Sequence, residues 1–338
     1  MRKFEASRVV TAILLVALSV LSGAAWFNTY KIDDYSKTSP GEWSRYYLKG
    51  DEFGRLIIEF DWMSNIEVNK TAVSLFRDRA LGCVDKPAGI ETSFSTRIAK
   101  DKSVYSYNIT RIEQLESRYR DCKPDAFGGR MTLYVLYLDG YYMDENNTLQ
   151  RKVLGLTYRG SSVVVFRNVV WGGSEEPALK CRKEAAVLVH ELGHLLGLVN
   201  IGYKSDISHE HYDTQKHEYD NHCNDTHCVM YPEIELQDGN PTGTRTYSVD
   251  FCSNCSRDLA SLKMAPGSRI LPRNVFLGMT AVSVCMTVIY TGLQFRKGRK
   301  EALTDARTGE EKTPGAPENF PVSSGPENPP DNQPAPPR

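Results

Sequence analysis

The chain has 338 residues, enough for one sizeable core or two modest ones. Its 41 Lys and Arg against 42 Asp and Glu argue against a generally basic nucleic-acid binder, and 41% hydrophobic residues rule out disorder throughout. Eight cysteines are too few for a disulfide-dense miniature scaffold.

At the N-terminus Arg2, Lys3 and Arg8 precede Val9 to Phe27, a 19-residue run without a charge. That is the pattern of a secretory signal or of a signal anchor, and both readings of residues 1–29 stand. Ser22 and Ala24 offer small residues at cleavage spacing, whereas the run is also long enough to cross a bilayer uncut. Arg55 to Trp62 alternates as a strand, Val73 to Leu81 reads as a short helix, and Asn108 to Arg120 places Ile109, Ile112, Leu115 and Tyr119 at helical spacing. Thr132 to Leu138 is rich in β-formers and ends at the turn signal Asp139-Gly140. Val153 to Tyr158 and Ser161 to Phe166 are two further strands, and Arg182 to Val199 is a helix. Strands alternating with helices predict a mixed α/β sheet, with the main chemistry on this last helix.

All seven histidines fall between His190 and His227. The densest group is His190-Glu191-Leu192-Gly193-His194, an HExxH motif. Positions i and i+4 share one helix face, so His190 and His194 can hold one metal together. Glu191 lies about 100° round the helix, where its carboxylate reaches a water on the metal rather than the metal itself. Imidazole suits zinc, and a catalytic zinc keeps one position open for water.

Towards the C-terminus Val275 to Phe295 forms a second uncharged run, followed at once by Arg296, Lys297, Arg299 and Lys300. It predicts a transmembrane helix over 273–295 with its basic flank in the cytoplasm. Residues 30–272 then form an extracytoplasmic domain of a cell-membrane protein. Sequons at Asn69, Asn108, Asn146, Asn224 and Asn254 agree with that side of the membrane. Residues 296–338, with nine of the 17 prolines, predict a disordered cytoplasmic tail.

The motif continues as His190 to Gly197, HELGHLLG, and resembles the metzincin signature HExxHxxGxxH, whose last position is here Asn200 rather than His. Downstream, His222-Cys223, four residues, Cys228-Val229-Met230 and a final Cys252-x-x-Cys255 resemble the archaemetzincins, a metzincin subgroup with a second, four-cysteine zinc site. In that family the His-Cys pair follows the glycine after two residues, whereas 24 separate Gly197 from His222 here. An insertion would make His222 the third ligand, with His217, His211, Asp213 and His209 as alternatives inside the inserted stretch. The resemblance covers roughly residues 182–255. It implies a metzincin-like mixed sheet with an active-site helix, Met230 as a Met-turn under the metal, and a substrate strand added along a sheet edge, for which Ser161 to Phe166 is the candidate. Cys223, Cys228, Cys252 and Cys255 would hold a structural zinc or form two disulfides, and Cys83, Cys122 and Cys181 leave at least one thiol over.

The function expected is that of a membrane-anchored zinc metalloendopeptidase acting on a peptide or protein, with Glu191 as general base. The rival from another class is a metal-stabilised, membrane-tethered binding module whose site Asn200 has spoiled. A gluzincin-like peptidase would instead take Glu210, Glu218 or Glu233 as its third ligand.

Overall fold

The computed structural model of the chain describes residues 14–21, 35–125, 128–173, 175–201, 204–232, 247–264 and 273–308. The chain divides into two compact units, one of Val16–Val282 and one of Met1–Leu15 with Ser283–Arg338. The first carries the sheet and every candidate ligand.

Its centre is a five-stranded sheet of β1 (Arg55–Met63), β2 (Ile90–Ile98), β4 (Arg130–Leu138), β7 (Gly155–Arg159) and β8 (Ser162–Phe166), in the order β2-β1-β4-β8-β7. Neighbouring pairs are parallel except β7, which runs antiparallel to β8 at the edge. Strands covered on both faces read as continuous apolar runs, and β4 and β8 do so: Met131 to Leu138 and Ser162 to Phe166 are all buried. A short sheet of β3 (Ser106–Tyr107), β5 (Tyr141–Met143) and β6 (Leu149–Gln150) stands apart.

The connections are helical. After α1 (Ser44–Leu48), α2 (Lys70–Cys83) joins β1 to β2, and α3 (Ile109–Tyr119) precedes β4. Both crossovers begin on a sequon asparagine. The Asn69 carboxamide oxygen accepts from the Thr71 and Ala72 amides, and that of Asn108 from Arg111, so these residues cap helices. A single turn, α4 (Arg167–Val170), leads to the long helix α5 (Pro177–Leu195). That helix starts five residues earlier than Arg182, with Pro177 in its first turn, and stops short of Val199. From Lys183 to Leu195 every residue is buried, so its C-terminal half has no solvent face.

One carboxylate fixes α5 in place. Glu184, fully buried, accepts the Tyr137 hydroxyl at 3.0 Å, the Trp171 indole N–H at 2.5 Å and the Asn69 amide at 3.4 Å, with Arg167 Nε at 3.2 Å. These groups come from β4, from α4 and the residue after it, and from the cap of α2. Burial pushes the Glu184 pKa above the usual carboxylate value, against the pull of Arg167.

Past the long helix come the hairpin β9 (Glu210–Asp213) and β10 (Glu218–Cys223), then α6 (Ser253–Met264) and α7 (Arg273–Thr308). Among the described residues no helix is long and apolar enough to cross a membrane. Of the span expected over 273–295, side chains are described for 281–293. The run expected within residues 1–29 lies outside the described residues except for 14–21, and the tail lies outside them beyond Thr308.

Breaking a buried ion pair on one side leaves its partner charged and unsolvated. Glu184→Ala should therefore cost about 3–5 kcal/mol, read as a lowered midpoint in urea unfolding of the full chain.

Candidate metal centre

The C-terminal turns of α5 present His190, Glu191 and His194 on adjoining faces, and all three are buried. The helix ends in a Schellman arrangement: Gly197 N–H donates to His194 O at 3.1 Å and Leu198 N–H to Gly193 O at 3.0 Å. Gly197 has φ +82°, and a Cβ there would lie 2.8 Å from the Ile201 carbonyl oxygen, so glycine is required at this turn. The chain then leaves through two further left-handed residues, Val199 and Asn200.

Of the candidates for a third ligand, His222 meets the two helical histidines. Potential ligand atoms of His190, His194 and His222 all lie within 4.8 Å of one another. Ring centroids stand 4.8 Å apart for His190 and His194, 5.1 Å for His190 and His222, and 5.2 Å for His194 and His222. His190 Nδ1 is 2.7 Å from the Val229 carbonyl, which can only accept, so Nδ1 carries the proton and Nε2 keeps its lone pair. That Nε2 faces His194 Nε2 at 3.1 Å. Two ligands on a tetrahedral zinc at 2.0–2.1 Å stand about 3.3 Å apart. Three imidazoles converging in a buried site are thus a donor set that fits zinc.

The other candidates sit elsewhere. Asn200 is a pin within the loop that follows α5: its Nδ2 donates to Glu210 Oε2 at 2.5 Å and its Oδ1 accepts the Ser205 amide at 3.0 Å. His211 Nδ1 donates to Asp220 Oδ2 at 2.9 Å, and Asp213 accepts the Gln215 and Lys216 amides at the hairpin turn. His217 is exposed on that turn with φ +56°, and Glu218 is exposed beside it. His209 Nδ1 donates to Ile207 O at 2.9 Å, and its Nε2 lies 3.6 Å from Cys255 Sγ, at the cysteine group instead. Glu233 lies outside the described residues.

Beneath the site Met230 is fully buried against Gly193. A Cβ on Gly193 would run into Met230 Sδ, so the glycine between the two helical histidines lets the methionine reach the helix backbone. Glu191 is met from the other side by β7. The Thr157 hydroxyl lies 2.7 Å from Glu191 Oε2 and 3.0 Å from its carbonyl oxygen. A Cβ on Gly155 would come within 2.9 Å of Glu191 Oε1, so this glycine leaves room for the carboxylate. Thr157 and Gly155 escape sequence reasoning, because a glycine and a threonine in a strand carry no local mark of the helix they will face. The expected edge strand is also corrected. Ser162–Phe166 is interior, paired to β4 and to β7, so the edge beside Glu191 is β7.

A second group, Cys223, Cys228, Cys252 and Cys255, gathers next to the first, its sulfurs also within 4.8 Å of one another. Cys223 and Cys252 stand 3.6 Å apart and Cys228 and Cys255 3.7 Å, against about 2.05 Å for a disulfide and about 3.8 Å for the edge of a ZnS4 tetrahedron. All eight cysteines are free thiols, Cys83, Cys122 and Cys181 included. Backbone amides of Asp225, Met230, Cys252 and Cys255 point at three of the clustered sulfurs at 3.3–3.5 Å. Hydrogen bonds from Cys223 hold the Cys252 and Cys228 thiols below the ordinary value. Bonding to Cys228 holds Cys223 above it, and bonding to Cys223 does the same for Cys255. A divalent cation held by the four sulfurs would let all four ionise.

No protein-family model matches the chain, and no curated protein matches it. Several solved structures are similar, two archaemetzincins among them. Archaemetzincin from Methanopyrus kandleri has a TM-score of 0.39 at 16% identity, over 62% of this chain and 96% of that one. Archaemetzincin from Archaeoglobus fulgidus, complexed with malonate, has a TM-score of 0.33 at 18% identity, over 60% and 98%. Neither score reaches 0.5, so these likenesses carry no weight for the chemistry, which rests on the side chains.

Thiolates on a metal are shielded from disulfide reagents. Chain purified without reductant should show four fewer reactive thiols in a denaturant-free Ellman assay before chelator treatment than after it. Equal counts would speak against metal binding by the cysteines.

Proposed function

We propose that the chain is a zinc-dependent endopeptidase whose metal is held by His190, His194 and His222, with Glu191 as the proton-transferring carboxylate. The observation that carries this reading is the convergence of the three imidazoles beside a buried Glu191 that lies off their common face. A purely structural metal has no use for that carboxylate. The zinc would supply Lewis acidity towards a scissile carbonyl and an activated water.

The chain's own residues would then work as follows. Glu191 takes the proton of the attacking water and returns it to the leaving amine. Thr157 holds Glu191 Oε2, so one oxygen is oriented while the other keeps the space that Gly155 leaves. His190 is fixed as the Nδ1–H tautomer by the Val229 carbonyl, which keeps its Nε2 free of a proton. The outer edge of the sheet is β7, beside Glu191, and an extended peptide would pair there as an added strand. Against the binding-module reading stand Asn200, engaged as a loop pin, and His222, which lies beside the two helical histidines.

Glu191→Ala should retain the metal and lower peptide hydrolysis by roughly 10²–10⁴-fold, as measured with a quenched fluorescent peptide library beside elemental analysis. Full activity in that variant would refute the mechanism.

The two apolar runs with basic flanks and the exposed Val282, Val284, Met286, Val288, Ile289 and Leu293 of α7 support the further reading of a membrane-tethered, extracytoplasmic peptidase. Alkaline carbonate should leave the full chain in the membrane pellet, and release into the supernatant would end that reading.

A further inference from the structure

The inserted stretch between Gly197 and His222 does more than lengthen the chain. It folds as the hairpin of β9 and β10, in which Tyr219 pairs with Tyr212 and Cys223 with Glu210, with a bulge between. Asn221 sits in that bulge with φ +59°, a left-handed turn that breaks the alternation of the strand. His222 and Cys223 are consequently both buried, although neighbours in a regular strand point to opposite faces.

Asp220 stands immediately before the bulge with each oxygen engaged. Oδ1 accepts the His222 backbone N–H at 3.3 Å and lies 3.5 Å from the His222 ring Nδ1. Oδ2 accepts His211 Nδ1–H at 2.9 Å. The His211 ring in turn sits edge-on to Tyr231, 5.6 Å between centroids, on the residue that follows Met230. A ligating histidine ordinarily gives its second ring N–H to a carboxylate or a carbonyl, which sets its tautomer and its aim. The Val229 carbonyl does this for His190.

We infer that Asp220 is the positioning residue for His222. It turns Nε2 of His222 towards the metal and, through His211, braces the hairpin against the segment carrying Met230. The inference rests on the metal centre proposed above. It also gives His211 a role other than ligation: its Nδ1 is committed to a carboxylate that also faces His222.

The test is metal affinity at the histidine site of the full chain, by chelator competition with cobalt(II), while thiolate-to-cobalt absorption reports the cysteine group separately. Asp220→Ala should weaken the histidine site about 10–100-fold and leave the thiolate absorption unchanged. Asp220→Asn, which keeps an accepting oxygen, should recover part of the loss, and His211→Phe should weaken the site less than Asp220→Ala. Unchanged affinity in Asp220→Ala alongside a weakened His222→Ala would overturn the inference and leave the metal centre standing. Unchanged affinity in His190→Ala, His194→Ala and His222→Ala together would instead overturn the metal centre itself.

Discussion

The hydrogen bond from His190 Nδ1 to the Val229 carbonyl joins the two halves of the site. On one side is α5, held from the sheet by Glu184; on the other is the loop that ends in Met230. The Val229 amide donates in turn to the Asp250 carbonyl at 2.9 Å, so this one residue is held through both its N–H and its C=O. Imidazole orientation, tautomer and loop position therefore depend on a single carbonyl. A helix carrying two histidines can place them on one face unaided, but it cannot choose which ring nitrogen they offer.

The two ligand groups are also bound to each other through the chain. His222 and Cys223 are adjacent, and Cys228 precedes Val229 directly. The Cys223 amide donates to the Met230 carbonyl at 2.8 Å, closing the loop between them. Tightening the four sulfurs thus fixes the ends of the segment that supplies the third imidazole and the clamp on the first. Metal binding and folding are linked wherever the ligands converge only in the native state, so occupation of either group would stiffen the other.

Much of this was legible in the residues. HExxH needs only helical periodicity to place His190 and His194 together, and the two short-spaced cysteine couples declare themselves. Strand β2 lies outside the expected elements, although Ile90, Thr92, Phe94, Thr96 and Ile98 alternate with Glu91, Ser93, Ser95 and Arg97. The Pro177 start of α5 was a signal of the same kind. The candidate edge Ser161 to Phe166 contains four consecutive apolar residues, Val163 to Phe166, which mark a strand covered on both faces. The His-Cys pairing favours His222 over His217, His211 and Asp213, but which histidine turns inward depends on a bulge at Asn221 that no spacing rule encodes. Thr157 and Gly155 reach Glu191 across 34 and 36 positions, a relation that exists only once the sheet is formed.

The hairpin shows how little contour length matters to a polydentate site. Closing a loop costs entropy that grows only with the logarithm of its length, roughly 2 kcal/mol more for 24 residues than for two. The β9–β10 pairing offsets part of this by ordering the added chain locally, so that only a short stretch remains to be closed. Ligands separated in this way are interchangeable with contiguous ones as far as the ion is concerned. What the hairpin adds is an aromatic surface, Tyr212 and Tyr219 edge-on at 5.2 Å between centroids and largely exposed, on residues outside the histidine and cysteine groups.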